Sequence, residues 1–252
     1  MIDLSNQVAL VTGGSRGIGA ATALMLAHAG ADVMVMYAKR KHDADRVVGN
    51  IRNLGRKSFA YQGYLQDYAR CKQVVSKVLK NFGRIDILVN NGGIWEYGDI
   101  AKMTSEQWKK TIDINLTGTF NMCRLAVPAM KKQGYGRIIN VSSTAGQRGE
   151  AFHSHYAAAK GGVIAFSKSI AVELIKYNIW VNCIAPGWVE TDMTSGVLKN
   201  SIQKKEILKV IPRLRLAIPE EIAGPIVFLA SSLSNHIIGE VLNVNGGSVL
   251  CG

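Results

Sequence analysis

Short, nearly uninterrupted apolar runs alternate with amphipathic stretches along most of the chain. "QVALVT" (7–12) predicts a buried strand, and "IGAATALMLAHAG" (18–30) a helix that stops at Gly30. "ADVMVMY" (31–37) predicts a second strand, and "DADRVVGNIRNLG" (43–55) a helix ending at Gly55. The alternation continues with "KSFAYQ", a helix over 68–83, and the strand "IDILVNN" (85–91). A long helix runs from Ser105 towards Lys132, followed by the strand "GRIINVSS" (136–143) and a helix over about 154–175. "IWVNCIAPG" (179–187), a helix near 219–231 and the strand "EVLNVNGG" (240–247) complete the pattern. Apolar strands joined by helices predict a parallel sheet covered on both faces. Right-handed crossovers make it a doubly wound, Rossmann-type α/β sheet of about seven strands. Its ligand crevice lies at the carboxyl ends of the strands. With no repeat or linker, residues 1–252 read as a single domain. The one irregular stretch, 188–215, reads as a substrate lid.

Composition supports that picture. Of 252 residues, 48% are hydrophobic, enough for one large core. The run "MLAHAGADVMVMY" is interrupted by His28 and Asp32, and no stretch reaches membrane-spanning length. The N-terminus lacks the basic-then-apolar pattern of a signal peptide, so a cytoplasmic protein is expected. Cys71, Cys123, Cys183 and Cys251 lack metal-ligand spacing and read as reduced thiols. The formal charge is +12, from 30 basic and 18 acidic residues. That balance suits a solvated basic surface or an acidic ligand, such as a cofactor phosphate or an acidic carrier protein. No Lys/Arg run exceeds "AKRKH" (38–42) and no nucleic-acid motif is evident, so neither nucleic acid nor membrane is an expected partner.

Candidate chemistry starts where strand one meets helix one. "VTGGSRGIGA" (11–20) places Gly13, Gly17 and Gly19 in a G-x3-G-x-G spacing, with Ser15, Arg16 and Ile18 between them. Glycines permit a sharp turn and close approach to a pyrophosphate, and a helix N-terminus offers free N–H groups to it. The end of the second strand reads Tyr37, Ala38, Lys39, Arg40, with no carboxylate to bind a ribose 2′-hydroxyl. Arg16 points towards the same corner, and these cations favour a 2′-phosphate, hence NADP(H) over NAD(H). Further along, "HSHYAAAK" (153–160) sets Tyr156 and Lys160 one helical turn apart on one face. An ammonium beside a phenol lowers its pKa, which would make a tuned proton donor. An ordinary helix turn is the alternative.

Six motifs in order resemble the short-chain dehydrogenase/reductase family across essentially the whole chain. They are "TGGSRGIG" (12–19), "NNGG" (90–93), Asn115 in "DINLTG", Ser143 in "NVSSTAG", "YAAAK" (156–160) and "APGWVET" (185–191). The resemblance implies that Tyr156 donates the proton in carbonyl reduction and that Ser143 binds the carbonyl oxygen. It implies that Lys160 lowers the tyrosine's pKa and binds the nicotinamide ribose, and that Asn115 holds a water joining Lys160 to solvent. Asn91 and Gly93 would line the cofactor's ribose side. The backbone of Pro186, Gly187 and Val189, with Thr191, would fix the carboxamide end. Two departures stand out. Gly92 replaces an alanine, and Tyr64, followed by Leu65, occupies the place of the acid that binds adenine.

Within the family the chain is most similar to 3-oxoacyl-[acyl-carrier-protein] reductases, as in "AVELIKYNIWVNCIAPGWVETDM" and the "VNGG" ending. That implies NADPH-dependent reduction of a carrier-linked 3-ketoacyl group in fatty-acid synthesis, by a homotetramer built on the helices at 105–132 and 154–175. Where such reductases often place carrier-binding arginines, this chain has Lys176, Tyr177 and "KKQGYG" (131–136). The alternatives are a reductase of free ketones, sugars or polyols, and a non-catalytic NADP(H) sensor or scaffold. Among other residues, His153 and His155 lack a third ligand and predict no metal site. Trp95 and Trp188 fall near the crevice as pocket walls or plain packing. The basic stretch 198–215 reads as a solvated face or as a surface for an acidic partner. The apolar tail "NGGSVLCG" reads as buried against another subunit.

Overall fold

Parallel pairing organises the chain in a computed structural model that describes residues 2–250. The strands are β1 (Val8–Thr12), β2 (Asp32–Tyr37), β3 (Ser58–Gln62), β4 (Ile87–Asn90), β5 (Gly136–Val141), β6 (Ile179–Pro186) and β7 (Val241–Val244). They form one sheet in the order β3-β2-β1-β4-β5-β6-β7, parallel throughout. The order reverses between β1 and β4, so a crevice opens beyond their carboxyl ends. Val8, Leu10, Met34 and Met36 face one side, while Ala9, Val11, Val33 and Val35 face the other. Both sets are covered by helices, which is why the strands read as continuous apolar runs rather than alternating ones.

The first face packs on α1 (Gly17–His28), α2 (Lys41–Asn53) and α10 (Pro219–Leu229); the second packs on α3 (Tyr68–Phe82) and on α5 (Gly118–Gln133) and α7 (Ser154–Leu174). In α2 the buried residues are Ala44, Val47, Val48 and Ile51; in α3 they are Cys71, Val74, Val75 and Val78. Each set is one helical stripe. Asp67 caps α3 by accepting from Arg70 N, and Gly83 ends it at φ 79° in the left-handed region.

Three local features depart from the sequence expectation. The long helix is α4 (Ser105–Ile112), a π turn (Asp113–Thr117) and α5 in succession. Hydrophobic spacing does not register one widened turn, which buries Asn115. A short helix, α6 (Thr144–Arg148), precedes α7, because Ser143 accepts from Ala145 N and starts it. The stretch 188–215 contains α8 (Ser195–Leu198) and α9 (Ser201–Lys209), the latter capped by Asn200. Neither buries a residue, so neither leaves an apolar stripe to read. In the tail, Val249 is buried and Leu250 exposed; Cys251 lies outside the described residues.

At the opposite edge of the sheet from the crevice, Asp86 is wholly buried before β4. It accepts from Val8 N at 2.9 Å and from Arg84 Nε and Nη2 at 2.7 and 2.6 Å. One carboxylate thereby fixes the β1–β4 pairing that places the crevice. Asp86→Ala should lower stability by roughly 2 kcal/mol, since it strands the buried Val8 N–H, while the half-exposed Arg84 guanidinium returns to solvent. Thermal unfolding would then shift down by about 5–10 °C; an unchanged midpoint would contradict this role for Asp86.

Candidate active site

β1 ends at Thr12, and the chain turns through Gly13 (φ 63°) into Gly17 (φ 51°), where α1 begins. A Cβ on Gly19 would sit 2.3 Å from the Gly13 carbonyl oxygen, so this contact requires glycine. Asn91 braces the turn from β4. Its Nδ2 donates to the carbonyls of Thr12 (3.1 Å) and Gly13 (3.3 Å). Thr12 Oγ1 in return accepts from the N–H groups of Asn91 and Gly92, both at 3.0 Å. α1 has no side-chain cap and no acid in its first turn. Its first N–H groups therefore remain available to an anion, which fits a cofactor pyrophosphate.

The turn lines a cleft of about 710 Å³ that also takes in Ser15, Ile18, Tyr37, Lys39 and Arg40. Arg16 lines it too, but not as expected. Its Nη1 pairs with Asp192 Oδ2 at 2.7 Å, both side chains about half exposed, rather than standing free beside Lys39 and Arg40. Asp192 comes from the chain that follows β6. Tyr64 and Leu65 reach the cleft with Gln66, which the motif comparison missed. Tyr64 Oη accepts from Gln62 Nε2 at 3.2 Å. At Gly92 a Cβ would lie 2.8 Å from Leu65 Cδ1, the tip of a flexible side chain. Gly187 and Pro186 line the far wall with Val189 and Thr191, and a parallel bridge from Val189 to Ala217 holds that wall.

Four predicted catalytic residues converge on the same cleft: Asn115, Ser143, Tyr156 and Lys160. Ser143 stands at the β5–α6 junction, while Ser142 points away and donates to the Lys160 carbonyl at 2.8 Å. The α6 and α7 backbones touch at Gly146, where a Cβ would lie 2.5 Å from Lys160 C. Lys160 Nζ is buried and donates to the Val141 carbonyl at 2.7 Å. It lies 5.8 Å from the Tyr156 ring centroid. Asn115 is wholly buried. Its Nδ2 donates to Ile94 O and Thr111 O, and its Oδ1 accepts from Ile94 N. The side chain is therefore spent on the loop after β4. A Cβ on Gly93 would lie 2.4 Å from Asn115 Oδ1, so glycine is needed there.

The electrostatics correct one expectation. Burial pushes the Tyr156 phenol up to about 12, only partly offset by a hydrogen bond with Ser143. Lys160 is not the phenol's governing neighbour; burial pushes its own ammonium down to about 8. Burial of both side chains disfavours either charge. The phenol is thereby held in its protonated form, the form that donates.

The remaining candidates sort clearly. Trp95 and Trp188 line the cleft and meet edge to face at 5.7 Å. Glu150 and Arg148 also line it, and motif reasoning passed over both. His153 stacks on Trp95, with ring centroids 4.3 Å apart, and His155 is wholly buried. No cluster suited to a metal occurs among the described residues. Cys183 is core, as its apolar strand implied.

Comparison with known proteins follows the same lines. The sequence model of the short chain dehydrogenase family matches residues 7–201. The chain is 43% identical over 251 residues to a 3-oxoacyl-[acyl-carrier-protein] reductase of Synechocystis sp., covering 99% of this chain and 100% of that one. It is 41% identical over 239 residues to a Staphylococcus aureus protein of the same description, covering 95% and 96%. The crystal structure of gox2181 superposes with a TM-score of 0.95 at 31% identity, covering 98% of this chain and 97% of that one.

The Lys160 shift has a consequence for stability. Between about pH 8 and its ordinary 10.5, the folded chain leaves Lys160 largely neutral while the unfolded chain keeps the proton. The unfolded state binds more protons, so stability from this group rises with pH across that window. Denaturant unfolding at about pH 7.5 and about pH 10 should show a Lys160 contribution of roughly 1–3 kcal/mol that Lys160→Met lacks. Equal pH slopes in the two proteins would contradict a buried, depressed lysine.

Proposed function

The chain belongs to the short chain dehydrogenase family, and from that premise we propose that it reduces a 3-oxoacyl thioester to the 3-hydroxyacyl product with NADPH. The observation that carries the reading is the meeting of Ser143, Tyr156, Lys160 and Asn115 with the glycine turn in one cleft. A sensor or scaffold would need no protonated phenol buried beside a serine. The reduced nicotinamide, when bound, supplies the hydride. Tyr156 gives its phenolic proton to the carbonyl oxygen, which Ser143 Oγ also steadies by hydrogen bonding as negative charge develops. Lys160 holds the cofactor's ribose. Asn115 holds a water next to Lys160 that renews the proton, through the backbone of its π turn, since its side chain is already engaged.

Lys39 and Arg40 select the 2′-phosphate, with Arg16 joining them by leaving Asp192. An exposed ion pair of this kind is weak, on the order of 0–1 kcal/mol, so the exchange costs little. Gly13, Ser15, Gly17, Ile18 and Gly19 cradle the pyrophosphate. Tyr37, Tyr64, Leu65, Asn91 and Gly93 border the adenosine half, and Pro186, Gly187, Val189 and Thr191 the nicotinamide end.

A carrier-linked substrate is supported by the names of the relatives and by a cationic patch. Lys131 Nζ lies 4.3 Å from the Tyr177 ring centroid and Lys176 Nζ 5.3 Å from it. Two lysines thus gather where the sequence lacks the expected arginines, and they offer charge to an acidic carrier protein. Exposed Trp108, Phe120 and Val172 on α4, α5 and α7 support a homotetramer built on those helices. The buried free thiols Cys71, Cys123 and Cys183 suit a reducing, cytoplasmic setting. Among the described residues no helix is long and apolar enough to cross a membrane.

Two measurements test the reading. Wild-type protein should oxidise NADPH in the presence of an acetoacetyl thioester, followed by loss of nicotinamide absorbance. Tyr156→Phe should lower kcat by about 10²–10⁴ while still binding the cofactor; retained turnover would sink the assignment of the proton donor. Arg40→Ala combined with Lys39→Ala should raise KM for NADPH roughly tenfold and leave that for NADH nearly unchanged. An equal effect on both cofactors would count against 2′-phosphate recognition.

A further inference from the structure

The proton-donating site carries a carboxylate that carbonyl reduction does not use. Glu150, in the loop between α6 and α7, is half-buried and lines the same cleft as Ser143 and Tyr156. Its Oε2 accepts from Trp95 Nε1 at 3.2 Å, and its Oε1 lies 3.8 Å from His153 Nδ1. Trp95 lies flat against His153, at 5° between planes, and Trp188 meets it edge-on at 86°. The carboxylate is therefore pinned by an indole N–H and shielded by aromatic rings, unlike a mobile surface acid. Its field reaches the phenol, where it adds to the upward pKa shift of Tyr156.

We propose that Glu150 determines substrate specificity, admitting 3-oxo compounds whose carboxyl is masked as an ester or thioester and turning away free 3-oxo acids. The inference rests on the reading of Tyr156 and Ser143 as the pair that binds the carbonyl. A 3-oxo group docked there leaves C1 only two bonds away. An ionised carboxylate at C1 meets the charge of Glu150 in the same cleft, where Trp95 and His153 limit Glu150's access to solvent. A neutral ester at C1 meets no such repulsion. Of the other charges that line the cleft, Lys110 and Arg148 oppose Glu150 weakly, while Lys160, held at the Val141 carbonyl, acts equally in every variant compared. Lys110 is paired with Glu96 at 2.6 Å, and Arg148 is exposed and screened by solvent.

The test compares kcat/KM for ethyl 3-oxobutanoate and for free 3-oxobutanoate in wild type, Glu150→Gln and Glu150→Asp. Glutamine removes the charge and keeps an acceptor oxygen for Trp95; aspartate keeps the charge. Wild type and Glu150→Asp should both favour the ester strongly. In Glu150→Gln the ester-to-acid ratio should fall by about tenfold, because the acid gains. Damage to folding lowers both substrates together and leaves the ratio alone. A ratio in Glu150→Gln equal to that of wild type, with wild type active on the ester, overturns the proposal for Glu150 alone. Wild type that reduces neither compound with NADPH overturns the reading of the site, and the inference with it.

Discussion

A lysine ammonium is buried at the end of the central sheet, and the cleft is built around holding it there. Lys160 Nζ donates to the carbonyl of Val141, the last residue of β5. That bond ties α7 to the sheet, and the helix then sets Tyr156 one turn back towards the opening. Close approach of α6 and α7 at Gly146 packs one backbone against the other beside Lys160. Burial is the constraint that follows. It disfavours charge on both side chains, keeps the phenol protonated, and leaves the ammonium poised near neutrality.

The two halves of the sheet meet in front of that lysine. Asn91 and Thr12 lock the loop after β4 onto the turn after β1 through reciprocal hydrogen bonds. Glycines at 13, 19 and 93 then admit backbone and side chains that a Cβ would exclude. The switch point of a doubly wound sheet is thus stapled before any ligand arrives. The chain after β6 meets the turn through an exposed ion pair, Arg16 with Asp192, and through Thr191 beside Gly17.

Much of this was legible in the sequence because the relevant signals are local. The apolar runs gave the strands, and glycine spacing placed the phosphate-type turn. Tyr156 and Lys160 share a face because they are four apart in a helix. Features that depend on distant partners were not legible. The π turn that buries Asn115 leaves the apolar period nearly unchanged. The partner of Arg16 comes from a segment far away in sequence. Glu150 belongs to no motif, and only the fold brings Trp95 and His153 around it. Sequence spacing reveals that an ammonium is near Tyr156, whereas burial, the largest cause of the upward shift of the phenol, is a property of the assembled pocket.

The account stands on Tyr156 and Ser143 meeting the substrate carbonyl in front of the glycine turn. A crystal structure with NADP(H) and a 3-oxoacyl thioester analogue tests this most directly. The carbonyl oxygen should lie within hydrogen-bonding distance of both Tyr156 Oη and Ser143 Oγ, with the 2′-phosphate beside Lys39 and Arg40 and the Lys160 ammonium at the ribose. A cofactor bound outside the turn, or a carbonyl that contacts neither hydroxyl, would contradict it.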